Sequence, residues 1–213
     1  VQFTSQNAGF LFLINALLAL GLYPDFTRPR DPRLAPSPLR VIALLGRHWL
    51  GRRFAADPLC AWLERTGAPG ALPACWTLAT DWEPGAPPPR RYRAEGLAIA
   101  WDPRGFAAQM RPIRPHEAHR PALPASLTRR LALRGGRERR WIACLATYLE
   151  HRLAEAGTCL ADLRLPGRII VADEAVTARF ALAALPLALR LAGLDRNPGW
   201  LPAEGRTFGF AFA

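Results

Sequence analysis

The chain has 213 residues, a net charge of +11 and an apolar fraction of 50%, and these values exclude two broad classes of protein. It is too hydrophobic for an intrinsically disordered protein and, with 21% charged residues, too charged for a polytopic membrane protein. The length predicts one large or two small domains. Because Met110 is the only methionine and the chain begins at Val1, we expect it to be part of a longer polypeptide.

The positive charge indicates an anionic partner. All 28 basic residues are arginine, which stays protonated and forms bidentate pairs with carboxylates and phosphates. Three partners fit this composition: an acidic protein, a nucleic acid or an anionic membrane surface. We favour an acidic neighbouring subunit, because the arginines are scattered and few aromatic residues lie among them.

An uncharged N-terminal segment predicts a buried helix. Residues 8–22 form the run AGFLFLINALLALGL, which has Asn15 in its centre. A membrane-spanning helix needs about 20 apolar residues, so this run is too short. Thr4 or Ser5 is the expected N-cap and Gly21 the expected C-cap. We expect this helix to lie in the core or against a neighbouring subunit, and membrane contact through residues 8–22 is the alternative.

Two further helices are predicted where a capping residue precedes a proline. Ser37 precedes Pro38, and Asp57 precedes Pro58, so each pair combines an N-cap with a first-turn proline. Apolar residues then follow at helical spacing until a glycine ends each pattern, at positions 51 and 67.

The complete pattern predicts an α+β fold, with a helical unit followed by a mixed unit. The mixed unit ends in a strand that carries three alternating phenylalanines. For residues 168–182 a strand is favoured, and an alanine-rich helix is the alternative. The predicted segments are a helical unit at 1–67, a proline-rich linker at 68–91 and the mixed unit at 92–213. The mixed unit contains a hairpin (strand 92–101, turn 102–105, strand 106–110), one long amphipathic helix at 137–156 and C-terminal strands from residue 168 onward.

No motif in the sequence predicts a catalytic or metal site. His116 and His119 flank Glu117, but they are three positions apart among prolines, unlike the zinc motif H-E-x-x-H. The four cysteines show no C-x-x-C spacing, and we expect Cys60 and Cys144 to be buried as small apolar residues. We therefore expect a non-enzymatic protein of a reducing compartment, without a cofactor or a metal.

An arginine-rich segment is the best candidate for binding nucleic acid. Part of it lies at the start of the predicted helix at 137–156, where the helix dipole disfavours cations, and this indicates an anionic partner there. Trp141 is the only nearby aromatic residue that could stack on a base. The arginines of this segment are Arg129, Arg130, Arg134, Arg137, Arg139 and Arg140.

Two segments of the chain resemble a known group of proteins. The first is Asn7–Asn15 (NAGFLFLIN), continuing to Leu20–Thr27 (LGLYPDFT), and the second is Leu191–Pro202 (LAGLDRNPGWLP) with the strand that follows. They look like signatures of uncharacterised bacterial proteins found with extracellular contractile injection systems, which are phage-tail-like particles. The first segment is also loosely similar to part of the tape-measure proteins of those systems. The resemblance implies a structural or accessory component.

The second of these segments contains a predicted corner. Asp195, Asn197, Pro198 and Gly199 are turn residues, and Trp200 follows them directly. We expect Trp200 to anchor the corner in the core, and binding of a partner through Trp200 is the alternative.

These observations give one hypothesis and two alternatives. The hypothesis is a structural assembly component of a phage-tail-like contractile injection particle, assembled in the cytoplasm and released with the particle. The alternatives are a basic nucleic-acid-binding module and a membrane-tethered accessory protein. The candidate interaction residues are Phe10, Phe12, Trp49, Arg129, Arg130, Arg137, Arg139, Arg140 and Trp200.

Overall fold

The computed structural model describes residues 1–24, 34–78 and 88–213. Two sequence predictions fall partly outside these ranges: residues 25–27 of the first family-like segment, and residues 79–87 of the proline-rich linker. The described residues form an α+β fold, as predicted, with a mainly helical N-terminal part and strands at the C-terminal end.

Helices occupy most of the N-terminal part and the middle of the chain. A 3-10 turn at Ala8–Phe12 leads directly into the first helix. The α-helices of the described residues are α1 (Leu13–Ala19), α2 (Pro38–Leu50), α3 (Arg52–Ala55), α4 (Pro58–Thr66), α5 (Ala125–Arg130), α6 (Arg137–Glu155) and α7 (Leu187–Leu191).

Strands form two separate sheets. The strands of the described residues are β1 (Gln2–Ser5), β2 (Trp76–Thr77), β3 (Arg90–Ala94), β4 (Leu97–Trp101), β5 (Ala107–Pro112), β6 (Gly167–Val171), β7 (Ala175–Phe180), β8 (Gly199–Leu201) and β9 (Arg206–Phe212).

The chain divides into two compact units, and one of them is discontinuous. Unit 1 comprises residues 1–71 and 153–213, and unit 2 comprises residues 72–152. This grouping differs from the sequence division into a helical unit and a mixed unit. The physical reason is that β1, at the start of the chain, pairs with β6, so that both ends of the chain belong to one sheet.

Unit 1 is built on a five-stranded sheet in the order β1-β6-β7-β9-β8. Its strands run antiparallel except β7 and β9, which are parallel neighbours. The ring of Phe12 lies 4.8 Å from the ring of Phe180 and 4.8 Å from that of Phe210, measured between centroids. The apolar N-terminal run is therefore a core segment that covers this sheet.

Helices α2 and α4 of unit 1 begin at the caps that the sequence predicts. The Ser37 hydroxyl accepts a hydrogen bond from the amide of Arg40 at 3.4 Å, and the Asp57 carboxylate accepts one from the amide of Leu59 at 2.8 Å. Asp57 also accepts a bond of 2.8 Å from the side-chain amide of Asn7. One buried aspartate thus fixes both the start of α4 and the chain that leads into the N-terminal turn.

Unit 2 is built on a four-stranded antiparallel sheet in the order β2-β5-β4-β3. Residues 137–152 of α6 belong to this unit and pack on the sheet. The Trp76 and Trp141 rings meet edge to face at 4.9 Å, and the Cys144 sulfur lies 3.9 Å from that of Met110. The predicted amphipathic helix is confirmed, since its apolar side chains form the core of the unit.

The prediction of a single strand at 92–101 is wrong. Glu95 and Gly96 have φ values of +48° and +71°, so the chain reverses there and forms a hairpin of β3 and β4. Positive φ at both central residues is the geometry of a type I′ turn, which suits a two-residue hairpin loop. The next turn is as predicted, because the Gly105 amide donates to the Asp102 carbonyl at 2.9 Å between β4 and β5.

The start of the first helix is also corrected. Thr4 and Ser5 are not N-caps, because both lie in β1 and pair with Arg168 and Gly167 of β6. The helical segment begins as the 3-10 turn at Ala8 and continues as α1 to Ala19. The sequence pattern missed β1 because its pairing partner lies more than 160 residues away along the chain.

Residues 168–182 contain two strands joined by a short turn, so the helix alternative is wrong. Ile169, Val176 and Phe180 are buried on the inner face of β6 and β7. Ile170, which follows Ile169 in β6, is only half-buried, because adjacent strand residues point to opposite faces. Within the described residues, no helix is both long enough and apolar enough to cross a membrane.

Candidate functional site

The structure places two predicted interaction residues in the core of unit 1. The side chains of Phe10 and Phe12 are 0% exposed. Phe10 contacts the ring of Phe54 at 5.0 Å and the ring of Trp49 at 6.1 Å, and Trp49 itself is half-buried. Phe10 and Phe12 therefore hold this chain together and are not available to another subunit, because their surface is already used.

Trp200 lies at the surface, so the expectation that it anchors a core corner is wrong. Its side chain is 44% exposed, whereas Leu201, the next residue of β8, is buried. Adjacent strand residues point to opposite faces, so the inward position of β8 belongs to Leu201. The alternative role for Trp200, contact with a partner, remains a prediction that this exposure favours.

Three leucines near Trp200 in the sequence are also exposed. Leu187 and Leu191 are 67% and 79% exposed, and they lie one turn apart on the same face of α7. Leu182, before α7, is 50% exposed. We refer to Leu182, Leu187, Leu191 and Trp200 as the exposed apolar set, and all four belong to unit 1.

The two family-like segments contact each other within unit 1. The Asn15 side-chain amide donates hydrogen bonds to the carbonyls of Leu194 and Arg196, at 2.8 and 2.6 Å. The Asn197 side-chain carbonyl accepts one from the amide of Phe210 at 2.5 Å. The polar residue that interrupts the apolar N-terminal run thus fixes the corner that precedes Trp200.

The predicted arginine segment divides into paired and unpaired residues. Arg130 forms an ion pair with Glu150 at 2.7 Å, and its guanidinium lies 5.7 Å from the centre of the Trp101 ring. Arg137 is exposed and Arg140 is half-buried at the start of α6. Arg130, Arg137 and Arg140 are not among the described residues that line a neighbouring groove of unit 2.

Arg129 and Arg139 instead line a groove of unit 2, which we call the arginine groove. Its volume is about 770 Å³, and two further arginines, Arg93 and Arg134, line it together with Glu95. The rest of the lining consists mainly of alanine and leucine side chains. The groove therefore combines a cationic rim with an apolar surface.

The charges of the groove are only partly balanced. Arg134 approaches Glu95 at 3.3 Å, but the Arg134 side chain is 86% exposed, and such solvated pairs contribute little. Arg93 donates to the carbonyl of Arg120 at 2.8 Å, which does not neutralise its charge. Neither Arg129 nor Arg139 has a carboxylate partner within the described ranges. The groove therefore keeps a net positive charge.

The His116-Glu117-Ala118-His119 segment is a structural feature. Glu117 is 1% exposed, and its carboxylate accepts two hydrogen bonds from Arg111, at 2.6 and 2.7 Å, and pairs with Arg120. The bonds from Arg111 outweigh burial and, with the amide of Arg114, lower the pKa of Glu117 to about 2. Its oxygens are thus occupied by arginines. Among the described residues, no group of three potential metal ligands occurs.

The two buried cysteines lie in surroundings that disfavour the thiolate form. Cys60 and Cys144 are buried, as predicted, and burial raises the pKa of both thiols. Cys75 and Cys159 are exposed and free. A raised pKa disfavours the nucleophilic thiolate, so Cys60 and Cys144 serve as small apolar residues of the core.

The sequence did not predict all residues of the arginine groove or of the exposed apolar set. Arg93 and Glu95 join the arginine groove from the β3–β4 hairpin, which the sequence pattern read as a single strand. Leu187 and Leu191 have the same residue type and spacing as buried core leucines, so no local signal marked them as exposed. Leu189 of the same helix is fully buried.

Comparison of the chain with models of protein families, with curated proteins and with solved structures finds no match. The resemblance to proteins of contractile injection systems therefore stays a prediction, which rests on the two sequence segments.

Proposed function

We propose that this chain is a non-enzymatic structural component that assembles with other protein subunits of a phage-tail-like contractile injection particle. The sequence resemblance names the kind of particle. The observation that carries the assembly role is the exposed apolar set on unit 1. Two of its members, Leu191 and Trp200, lie within the second family-like segment.

Adjacent apolar side chains at the surface, such as Leu187 and Leu191 on one face of α7, mark protein contact sites, and tryptophan is enriched among the residues that dominate binding. The segment between Leu191 and Trp200 is bound to the core on both sides. Leu194 is buried, and the amide of Asn15 and the side chain of Asn197 fix the intervening backbone. Leu191 and Trp200 are therefore presented outward by a well-anchored corner.

Sedimentation of assembled particles tests this proposal. The chain is expressed together with the sheath and tube genes of its source, and particles are purified by sedimentation. We expect the chain in the particle fraction. Its absence from intact particles, or a gene neighbourhood without sheath and tube genes, contradicts the proposal.

A paired variant tests the observation that carries it. Leu191→Gln with Trp200→Thr replaces both apolar groups by polar residues that suit a helix and a strand respectively. We expect this variant to leave the particle fraction. Val1→Ser is the matched control, because Val1 is 85% exposed and lies outside the family-like segments. Retention of the paired variant shows that these side chains are not the contact.

A further inference from the structure

The arginine groove of unit 2 has features of a second binding site, lined by residues other than the exposed apolar set. Its rim carries four arginines from four places in the chain: the β3–β4 hairpin, the end of α5, the loop that follows α5 and the start of α6. A volume of about 770 Å³ is sufficient to hold several side chains of a ligand.

The arginines on the rim of the groove favour an anionic ligand. Arg129 and Arg139 are exposed and have no carboxylate partner in the described part of the chain, so a ligand does not have to break an existing ion pair. Arg139 lies in the first turn of α6, where the helix dipole disfavours a cation until an anion binds beside it. A carboxylate placed there accepts bidentate hydrogen bonds from a guanidinium.

The lining favours an apolar component in the same ligand. Leu123 and Leu133 are buried beside the groove, and alanines make up most of the remaining surface. Among the residues that the structure describes, no aromatic side chain lines the groove, although single-stranded nucleic acids rely on aromatic residues for base stacking. The lining therefore fits the aliphatic side chains of a peptide better than nucleobases.

The edge of the sheet shows how a peptide would bind. Beside the groove, the outer edge of β3 is already occupied at Arg93, whose amide donates to Pro121 and whose carbonyl accepts from Leu123, both at 2.9 Å. A peptide therefore cannot add a strand at this position. It would bind through its side chains, with acidic groups on the rim and apolar groups on the lining.

We propose that the arginine groove binds an acidic, amphipathic peptide segment of a partner protein. Its carboxylates pair with Arg129 and Arg139, and its aliphatic side chains cover the leucine and alanine lining. This inference deepens the proposed assembly role by giving the chemistry of one partner. Its test uses the isolated chain, so its failure is distinguishable from a failure of the particle assignment.

Selection from a random displayed peptide library tests the groove. Three forms of the full chain are used as bait: the wild type, Arg129→Glu with Arg139→Glu, and Arg52→Glu with Arg65→Glu. The last pair is the matched control, because it removes the same charge from exposed arginines of unit 1. Glutamate in the first turn of α6 is favourable for the helix dipole, so the groove variant is expected to fold, and its unfolding midpoint checks this.

We expect the wild type and the control to enrich peptides in which Asp or Glu alternates with aliphatic residues. In fluorescence anisotropy, the best peptide should bind the groove variant at least about tenfold more weakly than the control. Replacement of its aliphatic residues by serine should weaken binding to the wild type as well. Three results overturn the proposal: no acidic enrichment, equal binding by the groove variant, or a random-sequence oligonucleotide that outcompetes the best peptide at the groove.

Discussion

Asn15 determines how the N-terminal helix is positioned, because its single side-chain amide serves two backbone carbonyls of the corner at 194–196. An asparagine within an apolar run is unfavourable unless it is hydrogen-bonded. The sequence indicated only that this polar residue argues against a membrane span. Its partners could not be predicted, since they lie about 180 residues further along the chain.

Asn15→Ala should lower the free energy of unfolding by about 1–2 kcal/mol, because two carbonyls lose their donor. Asn15→Asp should cost more, since a carboxylate facing two carbonyl oxygens adds electrostatic repulsion. Urea unfolding measures both. Gln6→Ala, at an exposed position that precedes the 3-10 turn, is the control and should change the free energy of unfolding by no more than about 0.5 kcal/mol. Equal losses at positions 6 and 15 would show that the contact is unimportant.

Glu117 is the buried charge with the clearest pH dependence. Its pKa is about 2 in the folded chain, against an ordinary value of 4.5, because the arginines around it stabilise the carboxylate. A carboxyl whose pKa is lowered by folding adds stability that is present above the unfolded pKa and is lost as the pH falls to the folded pKa. The stabilisation by Glu117 is thus complete above about pH 4.5 and disappears towards pH 2.

Glu117→Gln should destabilise the protein at neutral pH, and the difference from the wild type should shrink as the pH falls from 4.5 towards 2. Denaturant unfolding at a series of pH values measures this difference. Glu174→Gln is the control, because Glu174 is exposed in the turn between β6 and β7. A difference between wild type and Glu117→Gln that stays constant over this pH range would mean that the charge of Glu117 is not responsible.

Helix ends show how far local sequence determines an element in this protein. The amide of Gly157 bonds to the carbonyl of Ala154, and that of Thr158 bonds to Leu153, which is the Schellman pattern that ends α6. Gly157 has a φ of +72°, and the predicted end of the helix at this glycine is confirmed. The same two-bond pattern ends α1, where Gly21 occupies the equivalent position.

Helix α5 ends in the same pattern but with an alanine. The amides of Ala132 and Leu133 bond to Arg129 and Thr128, and Ala132 has a φ of +49°. Left-handed backbone costs a non-glycine residue about 1–2 kcal/mol. The sequence pattern did not predict α5, because no glycine marks its end and prolines crowd its beginning. The strained Ala132 lines the arginine groove.

Exchanges between glycine and alanine should therefore have opposite effects at two equivalent positions. Ala132→Gly should raise the free energy of unfolding by about 1 kcal/mol, and Gly157→Ala should lower it by about 1 kcal/mol. Apart from the glycine and its two chain neighbours, no described residue has a heavy atom within 4 Å of a Cβ placed on Gly157, so the second effect reports the backbone alone. Thermal or urea unfolding of both variants checks the two directions of change. A loss of stability in Ala132→Gly would show that the left-handed backbone of Ala132 is not strained.

The hairpin of β3 and β4 marks the limit of local sequence information. A type I′ turn is recognised by Asn-Gly or Asp-Gly, and here Glu95 precedes Gly96. The sequence therefore appeared as one continuous strand. In contrast, the Asp102 to Gly105 turn has the expected residues and was predicted correctly.

For the molecule as a whole, the sequence predicted the α+β fold class but not which strands pair over long distances along the chain. The capped helices α2 and α4, the long helix α6 and the C-terminal strand follow from periodicity and turn residues. The assignment of both chain ends to one unit depends on β1 pairing with β6, and no local pattern specifies that contact. The candidate surfaces follow the same rule, because exposure of Leu187 and convergence of Arg93 with Arg139 both depend on tertiary structure.

We propose that this chain is part of a contractile injection particle and is held there by apolar side chains of the second family-like segment. The most direct measurement is the amount of chain that sediments with intact particles, compared between the wild type and the Leu191→Gln, Trp200→Thr variant. We predict that the wild type sediments with the particles, whereas the variant stays in the supernatant with an unchanged unfolding midpoint. Wild-type chain that remains in the supernatant, while intact particles sediment without it, would show that the chain is not a component of the particle.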